Sequence, residues 1–246
     1  MAVNCIVPAR MGSSRYPGKP LVKIAGKEMI VRTMERARLA ECFDRIVCAT
    51  DSEQIAEVVS KAGFEFILTG PASTGSDRVA SAARALDLDL VVNLQGDEPL
   101  VEPKLLRDVA VALENHPDEW VTVACPLAPD EAQVKTVVKV LVKGDYAVDF
   151  SRSVAVEDAP RWFQHQGIYA YSRVCRDEFS SLPQSEMEKL HSLEQLRILG
   201  KRAIRIVQSP YSSISVDVPS DVLAVERALT KHVVVEGNMR DHNERS

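Results

Sequence analysis

Short β-branched runs alternate with amphipathic helical stretches through the first hundred residues, and this alternation restricts the fold more than any other feature. Strand-like Cys5–Pro8, Arg45–Ala49, Phe64–Leu68 and Leu90–Leu94 are separated by helix-like Ile30–Leu39, Ser52–Ala62 and Asp77–Leu86. A strand that rejoins its sheet through a helix must run parallel to the strand before it, with the helix covering a face. The pattern predicts an α/β fold, a doubly wound, mostly parallel sheet with helices on both faces and ligand loops at the carboxyl ends of the strands. At 246 residues and 46% hydrophobic content the chain is sufficient for one domain over 1–246, with no repeat and no low-complexity linker dividing it.

The middle of the chain breaks the rhythm. Val121–Pro126, Thr136–Val142, Tyr146–Phe150 and Gly167–Tyr171 read as strands with little helix between them, so about 121–172 is expected to form a small mixed or antiparallel insertion, a lobe beside the main sheet. Ser185-Glu186-Met187-Glu188 has the form of a capping box and predicts a helix through Leu199, closed by Gly200. Pro219-Ser220 opens a further helix, and the polar tail from Glu236 is expected to fray.

Thirty basic against thirty-five acidic side chains leave a net charge of −5, which disfavours a general nucleic-acid binder. Five widely spaced cysteines without a Cys-x-x-Cys pair indicate neither a disulfide framework nor a zinc site. With no secretory pattern and no apolar run approaching ~18 residues, a soluble cytoplasmic protein without a membrane segment is expected.

The chemistry concentrates where the first strand ends. Arg10, Arg15 and Lys19 follow that strand within eleven residues, with Gly12 and Gly18 permitting close backbone approach and Ser13 and Ser14 as short donors. Such a loop can cradle a polyphosphate, although a solvated basic turn would also account for it. It lacks the Gly-x-x-x-x-Gly-Lys-Ser/Thr of a P-loop and the Gly-x-Gly-x-x-Gly of a dinucleotide fold. A second buried strand, Val91–Leu94, runs into Gln95-Gly96-Asp97-Glu98, placing Asp97 where a hard oxygen ligand for Mg²⁺ belongs; a helix-capping aspartate is the plainer alternative. Val216-Asp217 reads as another strand ending in an acid, and the two carboxylates would make a metal seat. Thr74-Gly75-Ser76-Asp77-Arg78 sets small donors and a cation at a helix start, suited to an anion or a base edge, or simply an N-cap.

Together these segments resemble the 3-deoxy-manno-octulosonate cytidylyltransferases (CMP-Kdo synthetases), within the wider sugar nucleotidylyltransferases. The resemblance rests on Pro8-Ala9-Arg10 through Leu21, Ala49-Thr50-Asp51, Thr74–Arg78, Asn93–Pro99, Phe150-Ser151-Arg152, Gly167–Tyr171, Leu193–Arg197 and Val216-Asp217, in order and in spacing. It implies a fold of the nucleotide-diphospho-sugar transferase type and a reaction in which an acidic acceptor attacks the α-phosphate of CTP, with Mg²⁺ as cofactor and pyrophosphate leaving. It implies a homodimer, with the 121–172 lobe serving acceptor binding and dimerisation. By the same resemblance Arg10, Lys19 and Asp97 are catalytic, and Pro8, Ala9, Arg10, Gly12, Ser13, Arg15, Lys19, Ser76, Arg78 and Gln95 surround the nucleotide. Asp97 and Asp217 would hold the metal, and Gln95, Arg152, His165, Tyr169, Glu194 and Gln195 the acceptor.

The departures from that pattern fall in the acceptor half. Ser153–Arg161 is short and acidic where the family carries an Ile-Pro-aromatic segment ending in arginine; Gln164 replaces a basic residue, Gln166 an apolar one, and Val218 a threonine. A small phosphonate or phosphonocarboxylate is therefore the alternative acceptor to a Kdo-like sugar acid, and a non-catalytic nucleotide-binding subunit the alternative of another class. Plainer roles exist for two candidates as well. His165 would serve as a core histidine, and Glu194 with Arg197 as an exposed i, i+3 ion pair on a helix packed through Leu190, Leu193 and Leu196. Acceptor and triphosphate are both anions, and two unit charges ~4 Å apart repel by about 4 kcal/mol at an effective dielectric of ~20, so cations must attend the reaction.

Overall fold

The computed structural model describes residues 2–12 and 15–230. In chain order it contains strand β1 (Val3–Ala9), the short ribbon β2 (Lys23–Ile24) and β3 (Lys27–Glu28), helix α1 (Met29–Leu39), β4 (Ile46–Thr50), α2 (Glu53–Lys61), β5 (Glu65–Leu68), α3 (Gly75–Ala85), β6 (Leu90–Leu94), α4 (Pro103–Asn115) and β7 (Trp120–Pro126). These are followed by β8 (Lys139–Lys143), β9 (Tyr146–Ser151), β10 (Trp162–Ser172), α5 (Arg173–Ser181), α6 (Glu186–His191) and β11 (Ile204–Gln208). Helical backbone over 219–230 closes the described chain. The polar tail from Glu236 lies outside the described residues.

Nine strands form one sheet in the order β5-β4-β1-β6-β10-β7-β11-β9-β8. The pairings give one direction to β5, β4, β1, β6, β7, β11 and β8 and the opposite direction to β10 and β9, so the sheet is mixed and runs mostly one way. Alternation along β1 divides the core between the two faces. Val3, Cys5, Val7 and Ala9 pack with Ile30 and Met34 of α1, Ile55 of α2 and Leu106, Val109 and Leu113 of α4. On the other face Ile6, Ala49 and Val91 meet Val79, Ala82 and Ala83 of α3 and Phe179 of α5.

The middle strands differ from the expected lobe. β7 and β10 belong to the main sheet, with β10 inserted between β6 and β7 and antiparallel to both. The β8–β9 hairpin continues the sheet beyond β11 and curls back, since Trp162–Gln164 of β10 pair with Leu141–Lys139 of β8. That circuit takes up the outer edge of β8, and the reason is hydrophobic: Val140 and Phe150 of the hairpin are buried in the same core as Trp120 and Tyr169. α5 and β11 were not apparent from the sequence.

The second correction concerns the helix expected over 185–199. Its capping box forms, with Ser185 Oγ accepting from Glu188 N at 3.0 Å, but the helix ends at His191. Ser192 adopts a left-handed conformation (φ 51°), and Glu194–Arg197 form a separate 3₁₀ turn. Leu193 is buried while Leu190 is 74% exposed, so the expected packing stripe does not exist. A buried ion pair redirects the chain, with Arg197 NH2 2.5 Å from Glu188 Oε1 and each side chain 3% exposed.

In the parallel part the order β5-β4-β1-β6 has its switch point between β1 and β6, because the chain leaves β1 toward one side of the sheet and reaches β6 on the other. Crevices at such points open at the carboxyl ends of the strands. The loops carrying Arg10 and Asp97 flank this one.

Candidate active site

Local geometry brings the opening loop over that crevice. Gly18 takes a left-handed φ of +73°, which glycine adopts without a Cβ penalty, and donates its N–H to Met11 O at 3.0 Å. The turn starts the 3₁₀ segment Lys19–Leu21 and returns Lys19 toward β6. Across the crevice the backbones of the β1 and β6 loops nearly touch: a Cβ on Gly96 would stand 2.9 Å from Pro8 O and 3.3 Å from Ile30 Cδ1. Only glycine lets Asp97 approach the opening loop so closely.

Asp217 reaches the same point from a distant part of the sequence, and from a segment without regular secondary structure instead of the expected strand. Val216 N–H donates to Asp97 O at 3.0 Å, while Asp221 Oδ2 accepts from Asp217 N at 2.7 Å and Val218 N at 2.9 Å, fixing the turn into the helical stretch that begins at 219. The two carboxylates converge on one ammonium. Lys19 Nζ lies 2.7 Å from Asp97 Oδ2 and 3.6 Å from Asp217 Oδ1, and Arg15 NH2 is 3.1 Å from Asp217 Oδ1. Arg10 is exposed at the mouth and has no ion pair with a described residue.

Among the described residues no group of three or more His, Cys, Asp or Glu side chains is arranged around a metal position. The donor set nonetheless fits Mg²⁺, which is characteristically held by one or two carboxylates together with substrate phosphates and water. Two hard carboxylates already share a cation, the Lys19 ammonium.

The cavity has a volume of about 530 Å³. Pro8, Ala9, Arg10, Arg15, Lys19, Arg78, Gln95, Asp97, Arg152, His165, Tyr169, Glu194, Gln195 and Asp217 all line it. Three sequence candidates do not join them. Gly12 is exposed outside the lining, Ser13 lies outside the described residues, and Ser76 is 2% exposed beneath the wall. Ser76 is withdrawn because its groups bond inward, the hydroxyl accepting from Asn93 Nδ2 at 3.1 Å and the N–H donating to Glu194 Oε2 at 3.1 Å.

That last bond changes the reading of Thr74–Arg78. The start of α3 already holds an anion from its own chain, the Glu194 carboxylate, and burial raises the pKa of that carboxyl. Glu194 and Arg197 are therefore not partners. Arg197 NH1 instead donates to Asp77 Oδ1 at 2.9 Å, and Thr74 caps α3 by accepting from Asp77 N. Arg78 is 3% exposed, with its charge met by Asp51 Oδ2 at 2.6 Å and by the Thr69 hydroxyl.

Gln95 sits at the centre of the wall. A Cβ on Gly75 would lie 3.1 Å from its Oε1 and a Cβ on Gly167 would lie 3.1 Å from its Cγ, so two glycines make room for the amide, whose Nε2 donates to Asn93 Oδ1 at 3.0 Å. Tyr169 OH donates to Gln195 Oε1 at 3.2 Å, and burial raises the phenol pKa. Arg152 lines the cavity with much of its fork already engaged: Nε, NH1 and NH2 donate to the carbonyls of His191, Lys135 and Ser192 at 2.7, 3.0 and 2.8 Å. Of five N–H donors, two remain for a ligand.

Glu98, Gln164, Gln166 and Ser213, which depart from the family pattern or had no role assigned from the sequence, enter the wall. Glu98 is 4% exposed and accepts from Gln166 Nε2 and the Ser213 hydroxyl; burial, and secondarily Asp97, push its pKa up to about 8. Gln164 Oε1, Gln166 Oε1 and Gln195 Nε2 are buried without a hydrogen-bond partner among the described residues. His165 is 7% exposed and burial lowers its pKa to about 3, so it is neutral in the free protein. Sequence reasoning had no signal for Ser213 and gave Glu98, quoted within the Asn93–Pro99 segment, no role of its own; the two meet only across a separation of 115 residues.

Comparison with known proteins gives the family and the fold. The family model described as Cytidylyltransferase matches residues 4–206. A 3-deoxy-manno-octulosonate cytidylyltransferase of Anaeromyxobacter sp. (strain Fw109-5) is 44% identical over 233 residues, covering 89% of this chain and 93% of its own. An 8-amino-3,8-dideoxy-manno-octulosonate cytidylyltransferase of Shewanella baltica (strain OS155) is 39% identical, covering 93% and 99%. The solved structure of CMP:2-keto-3-deoxy-manno-octonic acid synthetase complexed with CTP superposes with a TM-score of 0.87 at 32% identity, over 94% of this chain and 100% of that one.

Proposed function

From a chain that belongs to the cytidylyltransferase family, and is thus a nucleotidyltransferase, we infer an enzyme that transfers CMP from CTP to 3-deoxy-manno-octulosonate or a closely related sugar acid, releasing pyrophosphate. One observation carries the reading. A single cavity joins a cationic loop and a converging carboxylate pair to a wall of buried polar groups, so anion binding and sugar-hydroxyl recognition meet at one place. The polar side chains of Gln164, Gln166, Tyr169 and Gln195 that line that wall suit a polyhydroxylated acceptor better than a small phosphonate, because a site built to bond hydroxyls rejects analogues lacking them by up to ~10⁴-fold.

Arg10, Arg15 and Lys19 would take the triphosphate, with Arg15 and Lys19 exchanging carboxylate for phosphate oxygens as the nucleotide enters and stabilising charge on the departing pyrophosphate. Asp97 and Asp217 would hold Mg²⁺, which when bound supplies positive charge at the α-phosphate and lowers the pKa of the attacking hydroxyl. The homodimer implied by the resemblance would have to form without the outer edge of β8, since β10 pairs with it. Light scattering on purified protein is expected to give twice the monomer mass of 27.1 kDa; a single-chain mass would remove the dimer.

The test of function is pyrophosphate release from CTP with a panel of acidic acceptors in the presence and absence of Mg²⁺. Turnover of sugar acids with little turnover of phosphonates is expected. Efficient phosphonate activation with no sugar-acid turnover would reverse the acceptor choice, and no turnover of any acid would favour a non-catalytic nucleotide-binding subunit.

A further inference from the structure

Thr122 of β7 is fully buried beneath the acceptor side of the cavity. The ladder between β7 and β10 slips there, with Gln166 opposite Val123 but Tyr169 opposite Thr122, so Gly167 and Ile168 are not matched across the pair. The Thr122 hydroxyl fills the irregularity. Its Oγ1 lies 2.8 Å from Ile168 O and 2.9 Å from His165 Nε2. A hydroxyl has one proton. Ile168 O is a pure acceptor and must receive it, since two bare oxygens at that distance repel, and the Thr122 lone pair then faces Nε2, which has to carry the ring's proton.

We propose that Thr122 is a positioning residue that holds His165 as the Nε2–H tautomer, so that Nδ1 is left as a hydrogen-bond acceptor for a hydroxyl of the sugar-acid substrate. The inference deepens the proposed function and, for the identity of that hydroxyl's owner, rests on it. Three further observations support it. His165 lines the cavity. Nδ1 accepts no hydrogen bond from a described residue. The ring is fixed in orientation by Phe150, edge-on at 5.2 Å, and by Tyr169 at 5.5 Å, while its backbone N–H is held by Val138 O at 2.8 Å. A histidine so oriented presents one defined lone pair, because the tautomer is set by the hydrogen bond made at the other nitrogen.

The experiment reads nitrogen NMR shifts of ¹⁵N-histidine-labelled free protein, with His165→Gln identifying the resonances of His165 among the five histidines. A protonated Nε2 and a bare Nδ1 are expected in the wild type. Thr122→Val, which keeps the branched shape and removes the hydroxyl, should shift the ring largely to the Nδ1–H tautomer and raise the acceptor KM about tenfold with the KM for CTP unchanged, the worth of one hydrogen bond. Thr122→Ser should restore both readouts, which a purely structural role of the threonine would not do. A wild-type His165 protonated at Nδ1 overturns the proposal, as does a Thr122→Val protein with shifted tautomer and unaltered acceptor KM. The spectrum requires no acceptor, so the expected tautomer in a protein that turns over no sugar acid would refute the functional reading and not the assignment at Thr122.

Discussion

Single side chains decide whether this cavity can bring two anions together. Lys19 lies within 3.6 Å of both Asp97 and Asp217, so each carboxylate is held in place before any ligand arrives. Replacing Asp97 by asparagine keeps the shape and removes the charge that Mg²⁺ would need; kcat is expected to fall roughly 10²-fold or more, with a smaller change in the KM for CTP. Arg10, with no ion pair to a described residue, should behave differently, since a contact made in both ground and transition states affects binding as well as rate. Arg10→Ala is therefore expected to raise the KM for CTP and lower kcat together. Steady-state kinetics at saturating acceptor separates the two, and wild-type values for Arg10→Ala would reduce the opening loop to a basic turn.

Among the elements, the broken helix after Ser185 has the clearest mechanical role. Glu188, Arg197 and Asp77 tie α6, the following 3₁₀ turn and the first turn of α3 together, and the same turn delivers Glu194 and Gln195 to the cavity. Removing one member of a buried ion pair leaves its partner's charge uncompensated, which costs roughly 3–5 kcal/mol. Glu188→Ala should lose stability of that order in urea unfolding, and because Gln195 shifts with the turn it should also raise the acceptor KM. Unaltered stability would show that Asp77 alone satisfies Arg197. The capping box at Ser185 was legible because it is local. The break at Ser192 was not, because it depends on Arg197 being buried against Glu188 and against Asp77, the latter 120 residues away.

Over the whole molecule, two buried groups at the cavity give the metal-free protein an opposed pH response. His165 has a folded pKa of about 3 against 6.5, so between those values the unfolded chain binds the extra proton and stability rises with pH. Glu98 is shifted the other way, from 4.5 to about 8, so the native state keeps a proton across that window and stability falls as pH rises. The two contributions cancel between 4.5 and 6.5, and from 6.5 to about 8 only Glu98 of this pair still changes, lowering stability as pH rises. Glu98→Gln is expected to flatten the stability curve above pH 6.5 relative to wild type, by up to ~1.4 kcal/mol per pH unit. Denaturant unfolding in EDTA at a series of pH values checks this, and parallel curves for the two proteins would remove Glu98 from the account.

Periodicity alone determined the alternation of strands and helices and the two-faced core, since these follow from which residues repeat every two or every 3.6 positions, whereas the switch point between β1 and β6 came from strand pairing across the fold. Motif order and spacing likewise brought out Arg10, Lys19, Asp97 and the wall residues His165, Tyr169 and Gln195. Tertiary structure decided what depends on contacts distant in sequence. It merged β7 and β10 into the main sheet, closed β8 onto β10, gave α3 the Glu194 carboxylate, drew Ser76 away from the cavity and enclosed Glu98 with Gln166 and Ser213. Local propensity and spacing are properties of neighbouring residues, whereas burial, charge pairing and the direction of a hydroxyl proton depend on which segments meet across the fold.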